Sequence, residues 1–166
     1  QRHHDRHGAA NEMGEDVAAP REGGQAAFAA IQEIVTLLMA DETTDWSRVD
    51  IPALQRHLVD MNNVTLRTRV DTEPAANGLR FKVSGEDDVR GSIQRMVAAH
   101  AKTMTGTYGL TYDTVDTPDG AEMTVHASKE VDLPMLKALG FIGVMTLGAH
   151  HQQHHLAIAS GNAPHH

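Results

Sequence analysis

The feature that most constrains the fold is a pattern of two hairpins, each followed by a helix. Four segments alternate apolar and polar side chains, as half-buried strands do: residues 64–70, 79–83, 108–115 and 121–127. Turns at 74–78 and 117–120 separate the members of each pair. Helical spacing of apolar residues follows at about 89–104 and again after Pro134. The pattern predicts two ββα units that form one four-stranded antiparallel sheet, with helices packed on one face.

Two further helices precede these units. Apolar residues at helical spacing predict the first helix over 25–39. Asp50 is placed to cap a second helix, which carries Pro52 in its first turn and ends at Asn62 and Asn63. The fold class is therefore α+β, with a single domain over residues 25–160. Residues 1–24 are polar and lack periodicity, which predicts a disordered, histidine-containing tail, and 161–166 form a short C-terminal tail.

Four of the twelve histidines lie within six residues near the C-terminal end of the chain. His150, His151, His154 and His155 follow an apolar run over 136–147, so we expect one last helix to continue through them. Histidines four residues apart on a helix share a face, where two imidazoles can bind one metal ion. The line of apolar residues favours His151 and His155 as the inward pair, with His154 and His150 as second choices.

Two other helices carry histidine and methionine at the same spacing. His57 and Met61 are four residues apart in the second helix, and His100 and Met104 are four apart in the third. A single inward histidine or methionine is also typical of ordinary core packing. Because the spacing occurs twice, we interpret all four residues as metal ligands, which helices on one face of the sheet would bring close to the histidine-rich helix.

The chain contains no cysteine, which excludes disulfides, thiolate zinc sites, iron–sulfur clusters and blue-copper centres. The HExxH pattern of zinc proteases is absent, because Gln152 and Gln153 occupy the middle of the cluster. Imidazole accepts Cu(II) and the thioether of methionine favours Cu(I), so eight methionines beside twelve histidines favour copper. The sequence predicts a copper-binding protein that acts in metal storage, delivery or redox chemistry rather than an enzyme.

The N-terminal segment adds a second prediction about copper. A free amine at Gln1, two backbone amides and the imidazole of His3 would form a square-planar Cu(II) chelate. Two alternatives compete with this site: the tail is a cloning remnant, or Gln1 has cyclised to pyroglutamate, which removes the amine. His165 and His166 are either a natural extension or the start of a tag. The absence of an initial Met and of any Cys, with the polar tail, predicts a periplasmic or secreted protein after removal of a signal peptide.

Several alternatives remain open at this point. The same residues would suit a copper or zinc enzyme with an open coordination position, and paired histidines would suit a non-covalent heme. A pH-sensitive histidine-rich dimer interface is a third alternative, in which Gly140, Gly143 and Gly148 allow close packing of two last helices. The net charge of -8 argues against nucleic acid and membrane as partners. A metal ion, a second copy of the chain and a metal-donor or metal-acceptor protein are the expected partners.

Overall fold

The computed structural model describes residues 23–129, 132–148 and 151–162, with the backbone alone at residues 23, 24, 151 and 152. This part of the chain contains five α-helices: α1 (Gly23–Ala40), α2 (Ile51–Leu66), α3 (Asp87–Met104), α4 (Leu133–Met145) and α5 (His151–Ala159). Its four strands are β1 (Arg69–Ala75), β2 (Gly78–Ser84), β3 (Leu110–Thr117) and β4 (Gly120–Ala127). The predicted order of elements, two helices followed by two ββα units, is confirmed.

The four strands form one antiparallel sheet in the order β1-β2-β4-β3. The two hairpins join through β2 and β4, where Phe81 pairs with Met123. Alternate side chains of these central strands are buried on one face, and α3 and α4 cover that face. The fold class predicted from sequence, an α+β sheet with helices on one face, is therefore confirmed.

Two separate apolar clusters stabilise the molecule. The larger cluster lies between the sheet and helices α3 and α4, and it contains the rings of Phe81 and Phe141 with their centroids 6.0 Å apart. The smaller cluster joins α1, α2 and α5 around four buried residues: Ile34, Leu38, Leu54 and Ala159. Helix α2 contributes Leu54 to the smaller cluster and Val64 to the larger one, so it connects the two.

The first predicted strand is wrong over residues 64–66, which form the last turn of α2. Alternation of Val64 and Leu66 was the signal for a strand, but Val64 is buried on the helix face that packs against the sheet. Asn63 does not end the helix either. Its side chain is buried and its Nδ2 donates to Ser92 Oγ at 3.0 Å, so the amide is satisfied within the fold.

The single last helix that the sequence predicts is also wrong, because the structure divides it into α4 and α5. Gly148 lies between them with a φ of +69°, a left-handed conformation that favours glycine. An added Cβ there would stand 2.2 Å from the Met104 Cε, so a larger residue would require the end of that flexible side chain to move. Within α4, Gly140 has φ +64° and ψ −172°, which breaks the helix at its middle.

None of the helices in the described part of the chain is both long enough and apolar enough to cross a membrane.

Candidate metal centre

Hydrogen bonds join the start of α2 to the end of α5. Asp50 caps α2 by accepting a hydrogen bond from the Ala53 backbone N–H at 3.0 Å. The Asp50 backbone N–H donates to the carbonyl of Ala159 at 2.6 Å, and Arg48 Nη2 donates to the carbonyl of Gly161 at 3.1 Å. The start of α2 therefore lies beside the end of α5, and the middle of α2 faces the histidines of α5.

This arrangement brings three imidazoles together, and we call His57, His154 and His155 the imidazole cluster. The ring centroid of His57 lies 4.8 Å from that of His154 and 5.6 Å from that of His155. The rings of His154 and His155 are 6.5 Å apart. His57 and His155 are 7% and 6% exposed, whereas His154 is exposed to solvent. The cluster is thus buried on one side and open on the other.

The ring separations can be compared with those of metal-bound imidazoles. Imidazole nitrogens lie about 2 Å from a zinc ion, which places the centroids of two rings on one ion roughly 5 Å apart. The two separations that involve His57 are close to that value. However, the described residues contain no group of three or more His, Cys, Asp or Glu side chains already arranged to hold a metal ion. The cluster therefore has suitable ring spacing without a complete ligand set in this part of the chain.

The structure does not describe the side chains of three predicted ligands, His151, His150 and His3. The backbone of His151 lies in α5, one helical turn before His155, but its side chain is not described. His150 and His3 lie outside the described residues altogether. The predictions for these three residues are neither confirmed nor contradicted.

His100 and Met104 have surroundings of a different kind. The ring of His100 packs edge-on against Tyr112 of β3 with centroids 5.0 Å apart, and its buried Nε2 has no hydrogen-bond partner among the described residues. Burial lowers the pKa of His100 to about 4, so its imidazole is neutral at ordinary pH. Met104 packs at the edge of the larger cluster, next to Gly148. His100 and Met104 therefore contact the core of the sheet unit (β1–β4 with α3 and α4) rather than the imidazole cluster in the described part of the chain.

Met61, the remaining predicted ligand, is half-buried on α2, one turn after His57.

Asp60 is a residue near the cluster that the sequence reasoning missed. It is buried on α2 one turn after His57, and both carboxylate oxygens are bound from α3. Arg95 donates to it twice, from Nε at 2.9 Å and from Nη2 at 2.8 Å, and Ser92 Oγ donates to its Oδ1 at 2.7 Å. A carboxylate three residues after a histidine, on the same helix face, was the sequence signal that would have identified it.

The charge of Asp60 is fixed by these contacts. Burial raises the pKa of Asp60, but hydrogen bonds from Arg95 and Ser92, with attraction to Arg95 and His57, outweigh burial and lower the pKa overall. The Asp60 carboxylate, in turn, raises the pKa of the Arg95 guanidinium. The Asp60 carboxylate and the Arg95 guanidinium therefore form a charged pair between α2 and α3, on the helix that also carries His57.

Comparisons with protein-family models, with curated proteins and with solved structures find no significant match to this chain.

Proposed function

We propose that the protein binds a transition-metal ion at the imidazole cluster, with Cu(II) as the first candidate. The observation that supports this most strongly is that two helices far apart in the sequence bring His57, His154 and His155 within 6.5 Å of one another. Packing alone rarely needs three imidazoles at one interface between helices, since histidine is a polar group that is costly to bury.

The three rings differ in their exposure to solvent, so each has a different role in the proposed site. His57 and His155 act as the inner ligands, because the fold holds them on opposite helices in a water-poor environment. His154 acts as the outer ligand, through which an ion enters from solvent. We propose His151 as a further ligand, because it stands four residues before His155 on the same helix.

The choice of copper follows from the ligands. Nitrogen ligands without thiolate accept Cu(II), Ni(II) and Zn(II), and among these ions Cu(II) generally binds most tightly. Metal storage, delivery and redox chemistry remain the proposed uses of the site, and a location outside the cytoplasm remains a prediction.

The test is a titration of the full metal-free protein with Cu(II) and with Zn(II), in competition with a chelator of known affinity. All proteins in the series carry His3→Gln, because the N-terminal segment is itself a predicted Cu(II) site. We expect one ion per chain, and we expect the His57→Gln/His155→Gln variant to lose at least about 100-fold in affinity, because two inner ligands are removed together.

His126→Gln is the matched control. His126 lies on the sheet, where its Nδ1 donates to the Ala76 carbonyl at 2.8 Å and its Nε2 faces Asp113 Oδ2 at 3.1 Å. Its loss should leave metal affinity unchanged. The metal affinity of the His100→Gln variant tests whether α3 contributes a ligand. If the double variant binds as the parent does, the site lies elsewhere, and if the parent binds neither ion, the proposal is wrong.

A further inference from the structure

We propose that two copies of this chain associate in solution through an apolar side of α1, so that each copy covers the exposed apolar side of the other. This side carries Phe28, Val35 and Met39, which we call the α1 stripe. The inference does not depend on the proposed metal site, because none of the three residues belongs to the imidazole cluster.

The α1 stripe lies on a side of the helix that the fold leaves open. Its residues are spaced seven and four apart, which places them on one side of a helix. Phe28 and Met39 are 72% and 71% exposed, and Val35 between them is half-buried. The buried residues Ile34 and Leu38 lie roughly 100° away around the helix axis, on the side that packs against α2 and α5. Helix α1 therefore has two apolar sides, of which the described part of the chain covers one.

Charge does not oppose contact between two α1 stripes. Glu33 is the single charged residue of the Gly23–Ala40 helix, although the whole chain has a net charge of -8. Helical spacing places Glu33 more than a third of a turn away from the α1 stripe. A helix that is apolar on most of its surface is usually buried on most of its surface as well. The composition of α1 therefore favours a second packing partner over exposure to water.

A second copy of the chain fits the α1 stripe better than the chain's own N-terminal segment does. Residues 1–22 contain two large apolar side chains, Met13 and Val17, in a sequence that is otherwise polar or made of small residues. They supply too little apolar surface to cover a phenylalanine, a valine and a methionine. A second copy supplies an identical stripe, and a two-fold axis between the copies lets each stripe cover the other. Methionine sulfur also packs favourably against aromatic rings.

The length of α1 limits how strong this association can be. A helix of 18 residues is about 27 Å long and about 10 Å wide, so two paired helices bury roughly 500 Å² each. The total of about 1,000 Å² is the lower limit for a specific interface. We therefore expect a reversible dimer with a dissociation constant of roughly 10 to 100 μM.

The experiment is sedimentation equilibrium of the full chain at concentrations from about 5 to about 500 μM. EDTA is present throughout, so that metal ions cannot bridge two copies. The parent should change from monomer to dimer within this range. The Phe28→Ser/Met39→Ser variant should dimerise at least about tenfold more weakly, because it removes the two most exposed side chains of the α1 stripe.

The matched control is Val115→Ser/Met135→Ser, which also removes two exposed apolar side chains but from β3 and α4, where they are 58% and 41% exposed. It should dimerise as the parent does. Far-ultraviolet circular dichroism checks that both double variants keep the parental fold. Equal weakening by the two variants would show non-specific association and overturn the proposal.

The absence of cysteine from the chain allows a second, independent test. Gln32 is exposed on α1 one turn after Phe28, so the single thiol of a Gln32→Cys variant should form a disulfide-linked dimer on mild oxidation. Gln55→Cys, at an exposed position of α2, should form far less. Equal cross-linking of the two variants would contradict an interface at α1.

Two further results would overturn the proposal by naming a different occupant. A parent that stays monomeric over the whole range, with or without residues 1–22, would show that the α1 stripe serves a partner other than a second copy. A parent that dimerises only after removal of residues 1–22 would show that these residues cover the stripe in the full chain.

Discussion

The sheet unit, which consists of β1–β4 with α3 and α4, and the helical unit, which consists of α1, α2 and α5, bury very different amounts of apolar surface. In the described part of the chain, sixteen buried residues, one of them Val64 from α2, form the cluster of the sheet unit, and four form that of the helical unit. Buried apolar area is the main source of folding free energy. The sheet unit therefore has a core that can stabilise a fold, and the helical unit depends more on its other contacts.

The polar groups show the opposite distribution. Among the described residues, four buried polar residues, His57, Asp60, Asn63 and His155, lie on the helices of the helical unit, and two, Ser92 and His100, lie on α3 of the sheet unit. A small core with buried polar groups is less stable, and such regions are where binding sites and their motions are commonly found. The sheet unit therefore acts as the scaffold, and the helical unit carries the candidate site.

The first prediction tests the scaffold. Phe81→Ala removes a fully buried ring that packs against Phe141, so we expect the free energy of unfolding to fall by about 3 to 5 kcal/mol in a urea titration followed by circular dichroism. Phe28→Ala is the control, because Phe28 on α1 is 72% exposed and its loss should cost no more than about 0.5 kcal/mol. Similar losses in the two variants would contradict the division into a scaffold and a small helical unit.

The second prediction concerns pH. Because burial lowers the pKa of His100 from 6.5 to about 4, the unfolded chain binds a proton there more readily than the folded chain does. The stabilising contribution is complete above pH 6.5 and is lost as the pH falls from 6.5 towards 4, by about 2 to 3 kcal/mol. Unfolding titrations between pH 7 and 4 should show this loss, and His100→Gln should reduce the slope. An unchanged slope would show that His100 is not buried as a neutral ring.

The sequence was sufficient for the fold because most elements depend on local patterns. The Asp50 cap, Pro52 and the turn at 117–120 predict their elements correctly, since these residues act on their own neighbours in the chain. The break between α4 and α5 was missed because nothing local distinguishes Gly148 from a tolerated helix glycine. Its left-handed conformation lies in the connection between the two helices, where Met104 of α3 packs beside it.

The candidate site was less predictable than the fold. Histidines 57, 154 and 155 were all predicted as ligands, but which of them meet depends on how α5 lies against α2. The methionine at position 104 packs at the core edge, and Asp60 gained its significance only through Arg95 and Ser92 on another helix. Residue type indicates what a side chain can bind, whereas tertiary packing decides which side chains meet.

The third prediction tests whether the two units open independently. A ligand that binds only the folded state stabilises it by about 2.7 kcal/mol when its free concentration is about 100 times the dissociation constant. Hydrogen exchange with and without Cu(II) should therefore slow in α2 and α5 by that free energy and change little in β2 and β4. The His57→Gln/His155→Gln variant should show no slowing. Equal slowing in the strands would show that the helical unit opens only when the whole molecule unfolds.

The fourth prediction uses Gly140, which breaks α4 within the sheet unit. Its φ of +64° with ψ −172° lies in a region that only glycine adopts readily, yet an added Cβ would meet nothing within 4 Å. Gly140→Ala should therefore destabilise the protein through backbone strain alone, by about 1 to 3 kcal/mol, whereas Lys137→Ala at an exposed position of the same helix should have no measurable effect. If the sheet unit is only a scaffold, metal affinity should be the same in both variants. A weakened metal affinity in Gly140→Ala would show instead that the break in α4 sets the position of α5, and the division between scaffold and site would then have to include α4 in the site.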